Sequence, residues 1–233
     1  GMRLDGKPGS LSNDAILYCF RVLASMLTDA VQWQLIPTNP CDRVKPPTAK
    51  KSRKSSQSFN EDQTARLLEV LETEPLKDQL MVVLALATGL RRGELCGLEW
   101  NDFNLKENTL TVNRASQSLS GHGTFDKNPK NESSNRTITI PSGIIPLLKE
   151  YKAWQSAEKL RLGDKWNRTD KIFTAWNGDP MHVDTPTKWF KKFLIRYNQS
   201  IDENVKLTEQ QKKELKLPAI RFHDLRHTSG SLL

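Results

Sequence analysis

Residues 80–95 read LMVVLALATGLRRGEL, and the fold is decided in the first half of that stretch. Leu80 to Ala87 is an unbroken apolar run of eight residues. A membrane span takes about twenty. A helix with one wet face would interrupt the run with polar residues. The stretch therefore predicts a central core helix from Pro75 to Thr88. Gly89 breaks it, because glycine accepts the left-handed backbone of a helix stop. Arg91 to Gly97 can begin another helix.

Upstream, Asn60 and Gln63 have the spacing of a capping box for a helix running through Leu71. Downstream, Thr109 to Ala115 and Arg136 to Ile140 alternate apolar and polar residues and predict strands. Lys171 to Trp176 predicts a third. The polar connection between the first two, Ser116 to Asn135, is too long for a tight turn, and loops of that length are commonly functional. Helices are predicted near 143–161, 184–198 and 208–215, with a last one carrying His223 to Leu233. Helices, a small sheet, then helices is an α+β, mainly α order, not an alternating βαβ one.

Residues 11–33 predict one more helix, capped by Ser12 or Asn13. Ile16, Phe20, Leu23, Leu27 and Val31 give it a single apolar stripe, and Pro37 and Pro40 stop it. A lone amphipathic helix cannot bury its own stripe, so residues 1–42 read as the end of a truncated helical domain. Residues 42–58 read as a linker: Pro46-Pro47 enforces extended backbone, and few apolar residues follow. A new domain then starts near Phe59.

The formal net charge is +8 and the pI about 9.4, which favours a polyanionic partner, nucleic acid or an acidic membrane surface. Within residues 43–54 lie Arg43, Lys45, Lys50, Lys51, Arg53 and Lys54 with no acid among them. A solvated linker can carry the same run. Lys188, Lys191, Lys192 and Arg196 form a second basic run beside Trp189, Phe193 and Leu194. Cys19, Cys41 and Cys96 are far apart, with no CxxC pair. They imply no disulfide framework and no zinc knuckle, which suits a reducing cytosol. No secretory signal is visible, so the expected location is cytoplasmic.

Three motifs carry chemistry. In Thr88-Gly89-Leu90-Arg91-Arg92-Gly93-Glu94-Leu95, an arginine follows a helix break, where the helix dipole disfavours it unless an anion is held there too. Glu94 can brace Arg91 as an i,i+3 pair, and a salt-bridged surface turn would look the same. In His223-Asp224-Leu225-Arg226-His227-Thr228, His223 and Arg226 share a helical face, as do His223 and His227. The histidine pair could bind zinc, but the glutamate of a zinc protease is absent; a structural histidine beside a surface arginine also fits. In Pro129-Lys130-Asn131-Glu132-Ser133-Ser134-Asn135-Arg136-Thr137-Ile138, a lysine sits in a polar loop before a strand, where a solvated lysine is also common.

Taken together, two arginines, a histidine and a lysine from three segments are the groups needed to handle a phosphodiester. Guanidinium forks bind phosphate oxygens bidentately and stabilise the charge of the transition state. Histidine exchanges protons near neutral pH, and a lysine can protonate a departing sugar hydroxyl.

The order T-G-L-R-R-G-E-L, P-K-x4-N-R-T-I, H-D-L-R-H-T resembles the boxes of the tyrosine recombinase, or phage integrase, family. The segment Ala30 to Pro40 is similar to the end of that family's core-binding domain. The resemblance implies a division into the end of a core-binding domain (1–42), a basic linker (43–58) and a catalytic domain (59–233). It implies Arg91, Lys130, His223 and Arg226 as catalytic residues, with Glu94 and His227 supporting them. Asn131 stands where the family usually has threonine, so Lys127 is the alternative to Lys130.

The implied reaction is DNA cleavage by a tyrosine, through a 3′-phosphotyrosyl link, followed by rejoining to a partner strand. It needs no metal and no other cofactor. The implied partner is double-stranded DNA, held by the basic linker and bound by a tetramer on two duplexes. In the family the nucleophile lies well beyond the H-x-x-R box, and the chain ends seven residues after Arg226. Tyr18, Tyr151 and Tyr197 match no such context. The expectation is a truncated chain that binds DNA without cutting it, with Phe222, Leu225 and Leu232 exposed for lack of covering helices.

Overall fold

The computed structural model describes residues 9–46, 58–119, 121–127 and 135–232, the side chains from residue 230 onward excepted. The chain divides into two compact units, Gly1–Ser55 and Ser56–Leu233.

The first unit is one helix and a turn. Ser12 caps α1 (Asn13–Gln32) by accepting from the Ala15 amide at 3.2 Å. The helix ends at Gln32, before the prolines are reached, and Gln34 just after it takes a positive φ of 59°. Asn39 ties the following 3-10 turn, Pro40–Arg43, back to the helix. Its amide donates to Ala24 O and Thr28 Oγ1 at 3.0 Å each, and its carbonyl accepts from the Cys41 amide. No residue of α1 is buried within the described chain.

The second unit is built around α3 (Leu76–Thr88), whose Leu80, Met81, Val82, Leu84, Ala85 and Leu86 are all buried. Around it lie α2 (Glu61–Leu71), α4 (Arg92–Gly97), α5 (Ile145–Leu162), α6 (Thr185–Glu203), α7 (Glu209–Leu215) and α8 (Leu225–Leu232). The Asn60–Gln63 capping box forms in both directions. Leu67, Leu71, Leu148, Tyr151, Phe190, Phe193 and Leu225 close on α3 in one core. Among the described residues no helix is long and apolar enough to cross a membrane.

The strands depart from the expectation in three places. First, the run expected at 109–115 divides. β2 (Thr109–Val112) pairs antiparallel with β5 (Arg136–Thr139) and with β1 (Phe103–Asn104), in the order β1-β2-β5. The chain then leaves that sheet at Arg114, whose guanidinium is held by Asp102 at 2.6 Å and Glu99 at 3.0 Å. Second, the connection read as a loop contains a hairpin, β3 (Ala115–Leu119) with β4 (Gly123–Lys127), in the register Ala115↔Lys127 and Ser116↔Asp126. Third, no strand forms at 171–176; only the bridges Glu99↔Lys171 and Thr174↔Pro180 remain. The backbone there is bonded piecemeal to Leu98, Asp179 and Met181, and side chains of α5 supply the rest. Gln155 donates to Lys171 O and Ile172 O, and Tyr151 to Ile172 O at 2.9 Å.

A fourth correction concerns Phe222 and Leu225. Both are buried, at 3 % and 0 % exposure, because α6 and α3 cover them. The side chain of Leu232 lies outside the described ones.

Candidate active site

Gly89 closes α3 with a φ of 58°, in the left-handed region. A Cβ there would stand 3.5 Å from Ser229 Oγ and 3.7 Å from Arg226 Cγ. The start of α8 therefore lies directly on the turn that leads from α3 through buried Leu90 to Arg91. Two motifs far apart in sequence meet at this one glycine. The Phe59 amide fixes α8 further by donating to Thr228 Oγ1 at 3.1 Å.

Arg91 precedes the first turn of α4, and the anion expected beside it is Glu94. The Glu94 carboxylate accepts four hydrogen bonds. They come from the Arg91 amide at 2.9 Å, Arg91 Nη1 at 3.0 Å, Arg136 Nη1 at 3.1 Å and Arg136 Nη2 at 2.7 Å. Burial alone would raise this carboxyl. The hydrogen bonds from Arg136 and Arg91 outweigh burial and bring it down to about 2. The Arg91 side chain stays 62 % exposed, so most of its guanidinium is available to a ligand.

Arg226 is placed differently. Its Nη1 is buried and has no hydrogen-bond partner among the described residues. An unpaired buried donor on a cation is costly. His223 sits in a 3-10 turn, Phe222–Asp224, held by the paired Arg221 and Asp224 side chains. His223 and His227 are both exposed, with ring centroids 6.0 Å apart and planes perpendicular. Among the described residues, no three His, Cys, Asp or Glu side chains are grouped to hold a metal.

Lys130, Lys50, Lys51, Arg53 and Lys54 lie outside the described residues. Lys127 is the exposed last residue of β4, and Arg43 and Lys45 are exposed in the first unit. Of the tyrosines, Tyr151 is fully buried and Tyr197 donates to Leu215 O at 3.1 Å. Burial raises both phenols. Tyr18 is exposed on α1.

Two residues of this region carried no sequence signal of a role. Arg136 stands inside a quoted motif, but nothing in the spacing links it to Glu94. Lys171 is buried at 5 % exposure beneath the β3–β4 hairpin.

The described residues of the second unit thus form a mainly helical α+β domain with two small antiparallel sheets, in which the motifs of Arg91 and Arg226 meet at the helix stop Gly89. Residues 57–233 match the phage integrase family, and the chain belongs to it. It is similar to the tyrosine recombinase XerC-like protein of Caldanaerobacter subterraneus subsp. tengcongensis, 29 % identical over 226 residues, covering 91 % of this chain and 53 % of that protein. It is similar also to the ICEBs1 integrase of Bacillus subtilis, 25 % identical over 223 residues, with 96 % and 55 % covered. This chain thus spans about half the length of the curated relatives it matches. Among solved structures, the Tn1549 transposon integrase in complex with transposon right end DNA superposes with a TM-score of 0.76 at 22 % identity, covering 96 % of this chain and 67 % of that one. That likeness is one of fold.

Proposed function

We propose that this chain is the phosphate-handling part of a site-specific DNA recombinase, with Arg91, Arg226 and His223 around the scissile phosphate and Glu94 and His227 supporting them. The observation that carries this reading is the meeting of the two motifs at Gly89, where Arg226 Cγ would lie 3.7 Å from an added Cβ, together with the unpartnered, buried Nη1 of Arg226. In that role the two guanidiniums hold the non-bridging oxygens and offset the charge that grows on them. A tyrosine oxygen attacks phosphorus as the bond to the sugar 5′ oxygen breaks. A lysine of the β3–β4 region, Lys130 or Lys127, gives its proton to that oxygen, and His223 exchanges a proton at the site.

The partner is double-stranded DNA. A positive chain in the phage integrase family supports this, as does the fold shared with an integrase solved in complex with transposon right end DNA. We take residues 1–42 as the end of a core-binding domain and 43–58 as a basic linker along the DNA backbone. The assembly would be a tetramer on two duplexes, working in the cytoplasm without a cofactor. A second reading, DNA binding without chemistry by this chain alone, is favoured by one observation. The hydroxyls of Tyr151 and Tyr197 both donate to main-chain carbonyls inside the fold, where neither is placed as a nucleophile.

The test begins by letting the protein select duplexes from a randomised pool. Wild type and Arg91→Ala are then compared on the selected sequence. The full-length wild type should form a covalent protein–DNA adduct, and Arg91→Ala should bind but form little. An adduct formed equally by both would remove Arg91 from the site. Replacing Lys50, Lys51, Arg53 and Lys54 with Gln should flatten the dependence of affinity on salt; an unchanged slope would mean that the linker makes no phosphate contacts.

A further inference from the structure

Lys171 is a buried lysine held by three neighbours. Its Nζ donates to Gly97 O at 2.8 Å and to Asp126 Oδ2, and forms an ion pair with Glu99 Oε1 at 3.0 Å. Gly97 is the last residue of α4, the helix that begins beside Arg91. Asp126 is on β4, immediately before Lys127 and four positions before Lys130. One ammonium thus joins the end of the arginine-bearing helix to the strand that ends at Lys127. Buried to 5 % exposure and paired with two carboxylates, Lys171 is not placed to touch DNA itself.

The joint continues on the other side of the hairpin. Asp126 Oδ1 accepts from Ser116 Oγ at 2.6 Å. The backbone at Ala115–Ser116 lies flat on two glycines of α4. A Cβ on Gly93 would stand 2.9 Å from Ser116 O, and one on Gly97 3.2 Å from Ser116 N. Glycine at both positions, four residues apart on one helix face, lets the strand approach this closely. The glycine face sets the distance of the hairpin from α4, and the Lys171–Asp126 pair stops it sliding or lifting.

We propose that Lys171 and Asp126 are positioning residues for cleavage: they hold the β3–β4 hairpin against α4 so that its lysine reaches the leaving 5′ oxygen. This rests on the function proposed above. In the step concerned, the tyrosine oxygen bonds to phosphorus, the bond from phosphorus to the 5′ oxygen breaks, and the lysine ammonium gives a proton to that oxygen. The tyrosine's own proton passes to a base of the site. Slackening the hairpin withdraws the proton donor and leaves the phosphate-binding arginines in place.

Leaving-group chemistry separates this from general damage. The full-length protein, as wild type, Lys171→Met or Asp126→Ala, is given two suicide duplexes of the selected sequence. One has an ordinary phosphodiester at the cleaved position, the other sulfur in place of the bridging 5′ oxygen. A thiolate departs without being protonated, so the sulfur duplex does not need the lysine. Both variants should cut the oxygen duplex at least about 10-fold more slowly and the sulfur duplex at close to the wild-type rate. Equal slowing on both duplexes, or slowing on neither, overturns the proposal. Should Lys171→Met fail to fold, Asp126→Ala decides alone, since that side chain is 33 % exposed and its loss removes only one of the three acceptors. Arg91→Ala in the same assay tests the underlying reading. If it cuts normally, the phosphate site is wrong. If it fails on both duplexes while Lys171→Met and Asp126→Ala show no selective loss, only the positioning proposal falls.

Discussion

The two ends of α3 each bury a carboxylate to nearly the same depth, with opposite results. Asp78, in the first turn, is 7 % exposed, and burial pushes its carboxyl up to about 6. Glu94, just past the other end, is 8 % exposed and is brought down to about 2. Asp78 has cations only at a distance, from Lys77 and Arg196, and Arg196 is itself paired with Glu74. Glu94 has two guanidiniums forked onto it. Depth of burial therefore does not decide what a carboxylate does; the donors brought to it do. At the Glu94 end those donors are arginines with protons to spare, which is what an anion-binding site requires. The Asp78 end has no such surplus.

The comparison is broken most severely by removing an arginine. Arg226→Ala or Arg91→Ala in the full-length protein should lower the rate of DNA cleavage by about 10²–10³, with a much smaller loss of DNA affinity. Equal losses in a cleavage assay and a binding titration would mean that the cations at this end only attract DNA.

Next in size is Gly93→Ala, in which the new methyl meets Ser116 O. Overpacking of this kind costs about 1–3 kcal/mol, more than alanine's gain of about 1 kcal/mol over glycine in a helix. Denaturant unfolding should show a net loss. Gly143→Ala, with nothing within 4 Å of the added carbon, is the control and should show none.

Glu94→Gln sharpens the comparison through pH. The folded-state carboxyl lies below its ordinary 4.5, at about 2. Its contribution to stability is therefore complete above about pH 4.5 and lost as the pH falls towards 2. Wild type should lose stability across that window in acid titrations, and Glu94→Gln should lose less. At pH 7 the variant should be weaker than wild type by about 1–2 kcal/mol.

Asp78→Asn carries the smallest expected effect and the opposite sign. A carboxyl raised from 3.8 to about 6 favours the fold while protonated, and that contribution is lost as the pH rises through about 6. Above that pH the variant should match or exceed wild type by about 1 kcal/mol once solvent screening is allowed for. A variant weaker than wild type at pH 7 would show that the charged Asp78 is held by its neighbours after all.

Much of this was legible in local spacing. The Asn60–Gln63 box, the apolar run 80–87, the Gly89 stop and the Arg91–Glu94 pair each involve residues within a few positions of one another. Periodicity and capping report such relations directly. The strands were less legible. The apolar positions Leu110 and Val112 give way to Asn113 and Arg114, and it is there, where Asp102 and Glu99 hold Arg114, that the run divides between two sheets. The hairpin at 115–127 was hidden because its residues are polar on both faces. The segment at 171–176 has the composition of a strand, but its carbonyls at 171 and 172 are taken by Tyr151 and Gln155 and its other backbone bonds scatter over three segments rather than one neighbouring strand.

The sequence by itself determined a mainly helical α+β domain, the places of its helices, a positive charge and the family to which the chain belongs, though α6 runs to Glu203, past its expected end at 198. The helices follow from residues close together in the chain, and the family from the order of three short boxes along it. Only the tertiary structure decided that Arg226 stands over Gly89, that Arg136 shares Glu94 with Arg91, and that Lys171 holds the hairpin to α4. The physical reason is the same in each case. A charged side chain reports its own charge in the sequence, but its donors and acceptors are assigned by groups that only folding brings within hydrogen-bonding distance.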